Sequence, residues 1–232
     1  MDNKKIQIKK PEHKKFRFFY CKKFKIIKMK EIKENTYKGT RILFGDEKRD
    51  MINKMISILR ENGYTEIQIP IIQYLEIFKN KVGDENRNMM FLLTDMANRE
   101  LCLAPEYTAV VQSLKDTFKY QKDVKLFYIQ ECFRGERPQS GRYRQFTQLG
   151  VEIINPSRNY VEELSKLALE LLGDGEFEVN MQAVRGLDYY KEGRGFEISC
   201  EKLGSQKQIC GGGEYEGGVG FAIGIDRLLL LE

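Results

Sequence analysis

Two stretches of the chain repeat apolar residues at the spacing of an amphipathic helix. From Met51 to Leu59 apolar residues recur every three or four positions, with polar and charged residues between them. Asp46 suits an N-cap before this stretch, and Gly63 suits the left-handed position after it. The stretch 161–172 repeats the pattern and is followed by glycine. The spacing therefore predicts helices over about 46–63 and 161–172.

Other segments alternate apolar and polar residues, as strands do. Val124–Cys132 and Tyr143–Ile154 flank a polar loop that contains Pro138 and Gly141, which predicts two strands joined by a long loop. Further strands are predicted at Thr65–Pro70, Leu101–Leu103, Glu176–Met181, Phe196–Lys202 and Val219–Ile223. Together these elements predict a mixed, mostly antiparallel sheet with helices packed on it, an α+β fold.

Glycine and proline divide the remaining segments. Because clusters of glycine favour turns, we predict a turn over Glu192–Gly195 and a sharp bend at Gly211–Gly213. Proline is favoured in the first turn of a helix, so Pro105 is expected at the start of a helix that continues over Thr108–Phe118. A last helix is expected to begin at Asp226.

The charge of the chain is unevenly distributed. The net charge is +5, but residues 1–41 hold thirteen Lys and two Arg against four acidic residues, so they carry +11 and the remainder carries −6. We therefore predict a basic, disordered leader over residues 1–36 and a folded domain over residues 37–232. A basic arm suits a polyanion such as RNA. A solubilising tail, or a start codon assigned upstream of Met29, remains an equal alternative.

Composition disfavours several classes of protein. No run of eighteen apolar residues and no apolar signal region occur, so we expect a cytoplasmic protein without a membrane span. The five cysteines are scattered without a CxxC pair, which fits a reducing compartment. His13 is the single histidine, which disfavours Ser-His and Cys-His catalysis and the HExxH zinc motif. No P-loop sequence is present.

The predicted hairpin carries the densest group of charged residues. Arg134, Arg137, Arg142 and Arg144 fall within eleven residues, with Glu136 among them. Arginine stays charged and donates bidentate hydrogen bonds to phosphate oxygens, so fixed guanidiniums on a hairpin suit a polyphosphate site. A basic surface hairpin is the alternative, but the mixture of Arg, Gln and Glu at alternate positions favours a site.

The hairpin sequence FRGERPQSGRYRQFTQLGVE, residues 133–152, resembles motif 2 of the class II aminoacyl-tRNA synthetases, in the wording of the histidyl-tRNA synthetase family. RGLDYY at 185–190 and CGGGEY at 210–215 resemble that family's two histidine signatures. The resemblance implies the class II fold, an antiparallel sheet flanked by helices. The predicted helix and strand over 46–70 resemble motif 1, which implies a homodimer. An ordinary amphipathic helix on a sheet is the alternative.

The resemblance implies that ATP and histidine form histidyl-adenylate and pyrophosphate, and that the acyl group then passes to tRNA(His) or another acceptor. Mg²⁺ is implied together with ATP, and no side-chain metal ligands are assigned. Such a site must align an anion with phosphorus and neutralise charge, which explains many arginines and no nucleophile. Arg134 and Arg185 match the family's catalytic arginines at the α-phosphate. A structural ion pair with Asp188 is the alternative for Arg185.

The resemblance also implies which residues hold each substrate. For ATP these are Arg134 at the α-phosphate, Glu136 and Phe146 at the adenine end, Arg142 at the outer phosphates, and Arg227, whose GIDRL segment resembles motif 3, on the far side of ATP. For histidine these are Glu106, Thr108, Gln148, Glu152, Tyr190 and Tyr215. Carboxylates and tyrosine hydroxyls can bond to both ring nitrogens, and a carboxylate in a pocket favours a cationic ligand group.

The chain departs from the family pattern at several positions. Ala104 and Glu214 stand where the family usually has arginine, and Gly135 and Thr147 replace larger residues of motif 2. Only 32 residues separate position 152 from position 185, where the family has a longer insertion that helps to hold tRNA. The sequence also stops soon after the motif 3 segment, where the family continues with an anticodon-binding domain.

Three functions are compatible with this pattern. The first is a minimal histidine-activating ligase, which retention of Arg134, Arg185 and Arg227 favours. The second is a non-catalytic, synthetase-like regulatory subunit of ATP phosphoribosyltransferase, which the missing anticodon-binding domain suits. The third is a dissected catalytic fragment, which would leave the lysine-rich leader unexplained.

Overall fold

The computed structural model describes residues 36–43, 45–79, 88–183 and 190–231. Residues 1–35, which hold nearly all of the predicted leader, and Arg185 lie outside this part of the chain. The strands in the described part are β1 (Thr65–Glu66), β2 (Ile72–Tyr74), β3 (Leu92–Thr94), β4 (Glu100–Leu103), β5 (Val124–Phe133), β6 (Gln145–Ile154), β7 (Glu178–Asn180), β8 (Tyr190–Ser199), β9 (Gln208–Tyr215) and β10 (Gly218–Gly224). The α-helices are α1 (Glu47–Glu61), α2 (Thr108–Gln112), α3 (Val161–Leu172) and α4 (Ile225–Leu228), and 3-10 helices cover Leu75–Ile77, Ser113–Asp116 and Glu201–Gln206.

Within the described residues, seven strands form one sheet in the order β1-β5-β6-β10-β9-β8-β7. The β1–β5 pair is parallel, and each of the other neighbouring pairs is antiparallel. A smaller antiparallel sheet has the order β2-β4-β3. This architecture confirms the predicted α+β fold with a mostly antiparallel sheet.

Helices α1 and α3 pack on one face of the large sheet. Met55 and Leu59 of α1 and Leu164 and Ala168 of α3 are buried in one apolar cluster with residues of β5, β6, β8, β9 and β10. Full burial of a leucine side chain stabilises the fold by about 1.5–3 kcal/mol. The apolar residues whose spacing predicted both helices are therefore the residues that face the core.

Alternation along β6 separates this core from the opposite face of the sheet. Leu149, Val151 and Ile153 are fully buried in the cluster beneath the helices. Successive strand residues point to opposite faces, so Gln148 and Glu152 point away from that cluster. The same strand thus supplies both the core and, on its other face, polar groups.

The strongly periodic elements were predicted correctly. Helix α3 has the predicted bounds, and α1 lies inside the predicted range, with Gly63 at a φ of +81° after it. Asp46 is the N-cap residue of α1, although its side chain makes no capping hydrogen bond. Strands β5 and β6 pair along their whole length, which confirms the predicted hairpin.

The predictions for the glycine-rich segments were wrong. Gly211–Gly213 lie inside β9, and Glu192–Gly195 lie inside β8, where the register is irregular between Tyr190 and Gly195. The glycines serve close strand contacts instead of a bend: a Cβ at Gly213 would lie 2.8 Å from the carbonyl oxygen of Arg194 on β8. Glycine in a strand often marks such a close approach.

Other boundaries also differ from the prediction, among them the end of the Thr108–Phe118 helix, since α2 ends at Gln112 and a 3-10 helix follows. Pro105 precedes α2, whose N-cap is Tyr107. The Glu106 carboxylate accepts hydrogen bonds from the first backbone N–H groups of this helix, so the helix begins after Glu106. The 65–70 strand is limited to β1, and the 196–202 strand ends at Ser199, where a 3-10 helix follows. None of the helices in the described residues is long and apolar enough to cross a membrane.

Candidate functional site

A cavity of about 570 Å³ lies on the sheet face that carries Phe146 and Gln148. The β5–β6 hairpin, the segment before α2, strands β8 and β9, and α4 contribute its walls. Nine predicted site residues line it, namely Glu106, Thr108, Arg134, Glu136, Arg142, Phe146, Gln148, Tyr190 and Arg227. Two more, Glu152 and Tyr215, are buried beside Thr108, and Arg185 lies outside the described residues.

Arg134 is fixed at the end of β5. Its Nε donates to the carbonyl oxygen of Pro105 at 2.8 Å, and its guanidinium carbon lies 5.1 Å from the centroid of the Phe146 ring. The side chain is 28% exposed, so the guanidinium is partly open to the cavity. A guanidinium held in this way offers an anion a preorganised partner.

Two further arginines lie on the same cavity. Arg142 Nε donates to Gln206 Oε1 at 2.8 Å and lies 3.2 Å from Glu136 Oε2. Arg227 Nε donates to Gly141 O at 2.8 Å, and its Nη1 donates to Gln208 O at 2.6 Å. Burial lowers the pKa of Arg227, which means that its cation is partly desolvated. A desolvated cation attracts a phosphate more strongly than one in bulk water.

Backbone N–H groups at the start of α2 donate hydrogen bonds to the carboxylate of Glu106. It is buried, and its carboxylate accepts hydrogen bonds from the N–H groups of Thr108 at 2.8 Å and Ala109 at 3.1 Å. These are donors at the N-terminal end of α2, where a carboxylate is favourable. The interaction holds Glu106 in place on the cavity wall beside Thr108.

Glu152 is the most deeply buried acid of the site. Thr108 Oγ1 donates to its Oε1 and Tyr215 Oη donates to its Oε2, both at 2.8 Å. Burial disfavours the carboxylate and raises the pKa of Glu152 to about 8, although the two hydroxyl donors oppose the rise. Burial without a cationic partner therefore penalises the charged form of Glu152.

Neighbouring residues fix the remaining polar groups. Cys132 Sγ donates to Gln148 Oε1 at 3.3 Å. The ring of Tyr190 meets that of Tyr215 edge to face, with centroids 6.4 Å apart. Aromatic pairs favour this geometry, so Tyr190 at the cavity and Tyr215 beneath it are held as a unit.

Close strand packing makes room for this buried group. Gly220 of β10 lies opposite Glu152 of β6, and a Cβ at Gly220 would collide with Glu152 Oε2. A Cβ at Gly218 of β10 would collide with the ring of Tyr215 on β9. Glycine is thus required at the two β10 positions that lie against the side chains of Glu152 and Tyr215.

Sequence reasoning did not assign several residues that line the cavity. These are chiefly Tyr143, Glu197, Lys207 and Asp226. A signal existed for two of them: Glu197 interrupts an apolar strand segment, and Asp226 lies within the GIDRL segment already selected for its arginine. An acid in apolar surroundings is expensive unless it has a partner or a function.

The positions that depart from the family pattern have local partners. Ala104 is fully buried, its N–H donates to Ile71 O and its carbonyl accepts from Phe133 N–H, both at 2.9 Å. A longer side chain there would have to displace core neighbours. Glu214 forms an ion pair with Lys191 of β8, so this acid is neutralised within the sheet.

Comparisons with known proteins identify the histidyl-tRNA synthetase family through a sequence profile and several relatives. The sequence profile described as histidyl-tRNA synthetase matches residues 46–174. A histidine–tRNA ligase from Archaeoglobus fulgidus is 28% identical over 305 aligned positions, which cover 82% of this chain and 74% of the relative. One from Methanococcus vannielii is 38% identical over 152 residues, or 62% of this chain and 36% of that protein. The crystal structure of apo histidyl-tRNA synthetase from S. aureus matches with a TM-score of 0.68 and 26% identity, covering 84% of this chain and 69% of that one.

The match is partial in length. This chain spans 36% of the Methanococcus relative, and its alignment with the Archaeoglobus relative has 305 positions against the 232 residues of the chain, an excess of 73. At least 73 positions of that alignment are therefore gaps in this chain, opposite residues of the relative. The relative has residues inside the matched region that this chain lacks.

Proposed function

The chain belongs to the histidyl-tRNA synthetase family, and from that premise we propose that it activates histidine with ATP. A carboxylate oxygen of histidine attacks the α-phosphorus, the bond to the β-phosphate oxygen breaks, and histidyl-adenylate and pyrophosphate form. The observation that carries the proposal is one cavity with arginines on two walls and a buried, hydroxyl-bound acid beside it. This is the combination that a polyphosphate and a cationic amino acid need together.

For ATP, we assign residues of the β5–β6 hairpin to the adenine end, and arginines of the hairpin loop and of α4 to the phosphates. Phe146 would stack on adenine beside Glu136, while Arg142 and Arg227 would bind the outer phosphates. Arg134 would bind the α-phosphate and the histidine carboxylate, because it is anchored by the carbonyl of Pro105, next to Glu106, and its guanidinium lies near the Phe146 ring. These arginines neutralise charge that increases as the oxygen attacks.

For histidine, we assign Glu106, Thr108, Gln148, Glu152, Tyr190 and Tyr215. The imidazole ring would give Glu152 a cationic or proton-donating partner, which the raised pKa of this acid makes favourable. Two carboxyl groups, an amide and tyrosine hydroxyls can bond to an ammonium group and to both ring nitrogens. An amino acid with an apolar side chain would displace water from these groups without bonding to them, at a cost of about 1–3 kcal/mol for each hydrogen bond lost.

Mg²⁺ would enter with ATP, held mainly by phosphate oxygens. Among the described residues, no group of three or more His, Cys, Asp or Glu could hold a metal ion. When bound, the ion would neutralise phosphate charge, and the arginines of the chain would position the α-phosphate. The acyl acceptor is tRNA(His) or another nucleophile.

We also propose a homodimer through the small sheet. Ile72, Tyr74 and Leu92 lie there and are 55%, 52% and 63% exposed, and a largely apolar cleft of about 640 Å³ lies next to β2. An exposed apolar surface of this kind marks an interaction site. The β2 strand follows the segment that resembles motif 1, which supports a second copy of the chain as the partner.

The test is histidine-dependent exchange of labelled pyrophosphate into ATP. We expect exchange with histidine and none with phenylalanine. Arg185→Ala should reduce the rate by orders of magnitude and leave histidine affinity largely intact. Lys191→Ala, which removes an exposed cation paired with Glu214, should retain most of the rate. Histidine binding without exchange would contradict the ligase and favour the regulatory subunit of ATP phosphoribosyltransferase.

A further inference from the structure

A network of charged residues at the edge of the cavity joins α4 to the β5–β6 hairpin, and Asp226 at its centre also lines the cavity. Asp226 of α4 is 4% exposed, and both of its carboxylate oxygens are occupied. Oδ1 accepts a hydrogen bond from Arg41 Nη2 at 2.5 Å, and Oδ2 accepts one from the backbone N–H of Thr147 at 2.5 Å. Charge-assisted bonds of this kind are the strong ones, so one carboxylate ties together three segments that are distant in sequence.

Asp226 itself and the neighbours of both tied residues, Arg227 and Phe146, line the cavity. Asp226 precedes Arg227, and Thr147 follows Phe146. Because adjacent strand residues point to opposite faces, Thr147 is directed away from the cavity while Phe146 lines it. The bond from Thr147 to Asp226 therefore fixes the spacing between the Phe146 ring and the Arg227 guanidinium.

Arg41 extends this link to the cavity rim. Its Nη1 donates to Tyr143 Oη at 2.9 Å, and its guanidinium carbon lies 4.1 Å from the centroid of the Tyr143 ring, which lines the cavity. The side chains of Arg41 and Asp226 are only 15% and 6% exposed. A shielded pair that loses one partner leaves the other charge uncompensated, so the two residues depend on each other.

Lys48 of α1 completes the network from the other side. It donates to Thr147 Oγ1, and its Nζ lies 3.8 Å from Asp226 Oδ1 and 3.7 Å from Glu131 Oε1. Thr147 Oγ1 in turn donates to Glu131. The two cations and two carboxylates balance in charge, which allows the network to be shielded from water without a net charge.

We propose that Arg41 and Asp226 are positioning residues for ATP. They hold α4, with Arg227, at the distance from the hairpin at which one nucleotide can meet Phe146 and Arg227 together. The inference rests on the proposed function, since it takes ATP as the ligand of this cavity. The effect of the pair on ATP passes through Arg227, Tyr143 and Phe146, and the histidine side of the cavity does not depend on it.

The test compares wild type with Asp226→Asn and Arg41→Ala in histidine-dependent exchange. Asparagine keeps the size of aspartate but replaces one acceptor oxygen by a donor, so it cannot serve both Arg41 and Thr147. We expect the KM for ATP to rise about 10- to 100-fold, because a misplacement of about 1 Å costs that order of magnitude. The KM for histidine should change less than about threefold. Added guanidinium ion at a non-denaturing concentration should restore much of the ATP affinity of Arg41→Ala, while equal sodium chloride should not.

The matched control is Arg158→Ala. Arg158 and Glu163 form an ion pair with the same 2.5 Å separation, but their side chains are 58% and 44% exposed. Loss of such an exposed pair has little effect, so both KM values should match wild type. If Asp226→Asn leaves the KM for ATP unchanged, or raises both KM values equally, the positioning role is wrong.

Two further measurements keep the result decisive. If Asp226→Asn and Arg41→Ala fail to fold, Arg41→Lys keeps the charge but loses the planar fork, and its ATP KM must rise selectively. If wild type shows no exchange, the proposed function fails, and calorimetric ATP binding to wild type and Asp226→Asn decides the positioning role separately. Equal ATP affinity, or no ATP binding by wild type, would then overturn it.

Discussion

Replacement of Glu152 by glutamine tests the buried acid through the pH dependence of stability. The pKa of Glu152 is raised from 4.5 to about 8 in the folded chain because the group is buried. Each pKa unit corresponds to about 1.4 kcal/mol, so the full difference corresponds to about 5 kcal/mol. The sign follows from linkage. The contribution of Glu152 to the free energy of unfolding is fully present below pH 4.5 and is lost as the pH rises through 8, because in this range Glu152 ionises more easily in the unfolded chain than in the folded one.

The expected result is a pH-dependent gain in stability. Glutamine has the same shape and can hydrogen-bond with Thr108 and Tyr215, but it does not ionise. The difference in unfolding free energy between Glu152→Gln and wild type should increase by about 4 kcal/mol between pH 4.5 and pH 8.5. Groups that titrate in both proteins cancel from this difference.

The assay is urea denaturation at four or five pH values across that range, read by circular dichroism. Glu178→Gln, an exposed glutamate on β7, is the control and should give a difference that is constant within about 0.5 kcal/mol. A flat difference for Glu152→Gln would refute the reasoning, because it would mean that Glu152 ionises in the folded chain as easily as in the unfolded one. Saturating histidine should weaken the pH dependence of wild type, since a bound cation stabilises the carboxylate.

Three other predictions concern separate features. Gly220→Ala should destabilise the fold by about 1–3 kcal/mol in urea denaturation, because the added Cβ collides with Glu152; an unchanged midpoint would contradict the close approach. Ile72→Lys should convert a dimer to a monomer in sedimentation velocity at unchanged circular dichroism, while Val179→Lys should not; equal masses would exclude this surface as the interface. Deletion of residues 1–28 should weaken RNA binding and flatten its salt dependence, and an unaltered slope would remove the leader as a phosphate contact.

Local sequence patterns were sufficient for the elements that repeat a single rule. The hydrophobic spacing of α1 and α3, and the alternation of β5 and β6, record which side of each element is buried. Burial is the dominant favourable term in folding, and it acts on every turn or pair of residues in these elements. Each of these elements repeats the burial pattern several times, so it can be recognised from the sequence without knowing which element packs against it.

The sequence failed where a residue has its role through a partner on another strand. The Gly211–Gly213 run resembles a turn sequence, yet it lies inside strand β9. The neighbouring strands β8 and β10 lie so close to it that side chains at Gly212 and Gly213 would collide with them. The 192–195 segment likewise belongs to β8, whose pairing with β9 is irregular in register between Tyr190 and Gly195. Turn propensity is local, whereas these contacts join residues that are distant in sequence.

The sequence by itself predicted the fold class and the arginine-bearing hairpin, and its resemblance to a known family predicted nine residues that line one cavity. Only the tertiary structure decided that Glu152 is sealed beneath Thr108 and Tyr215, and that Asp226 links Arg41 to Thr147. Arg41 and Asp226 are 185 positions apart, and no periodicity or spacing connects them. The reason is physical: a pattern of burial specifies which face of an element turns inward, while the pairing and pKa of a buried charge depend on the groups that packing brings to it.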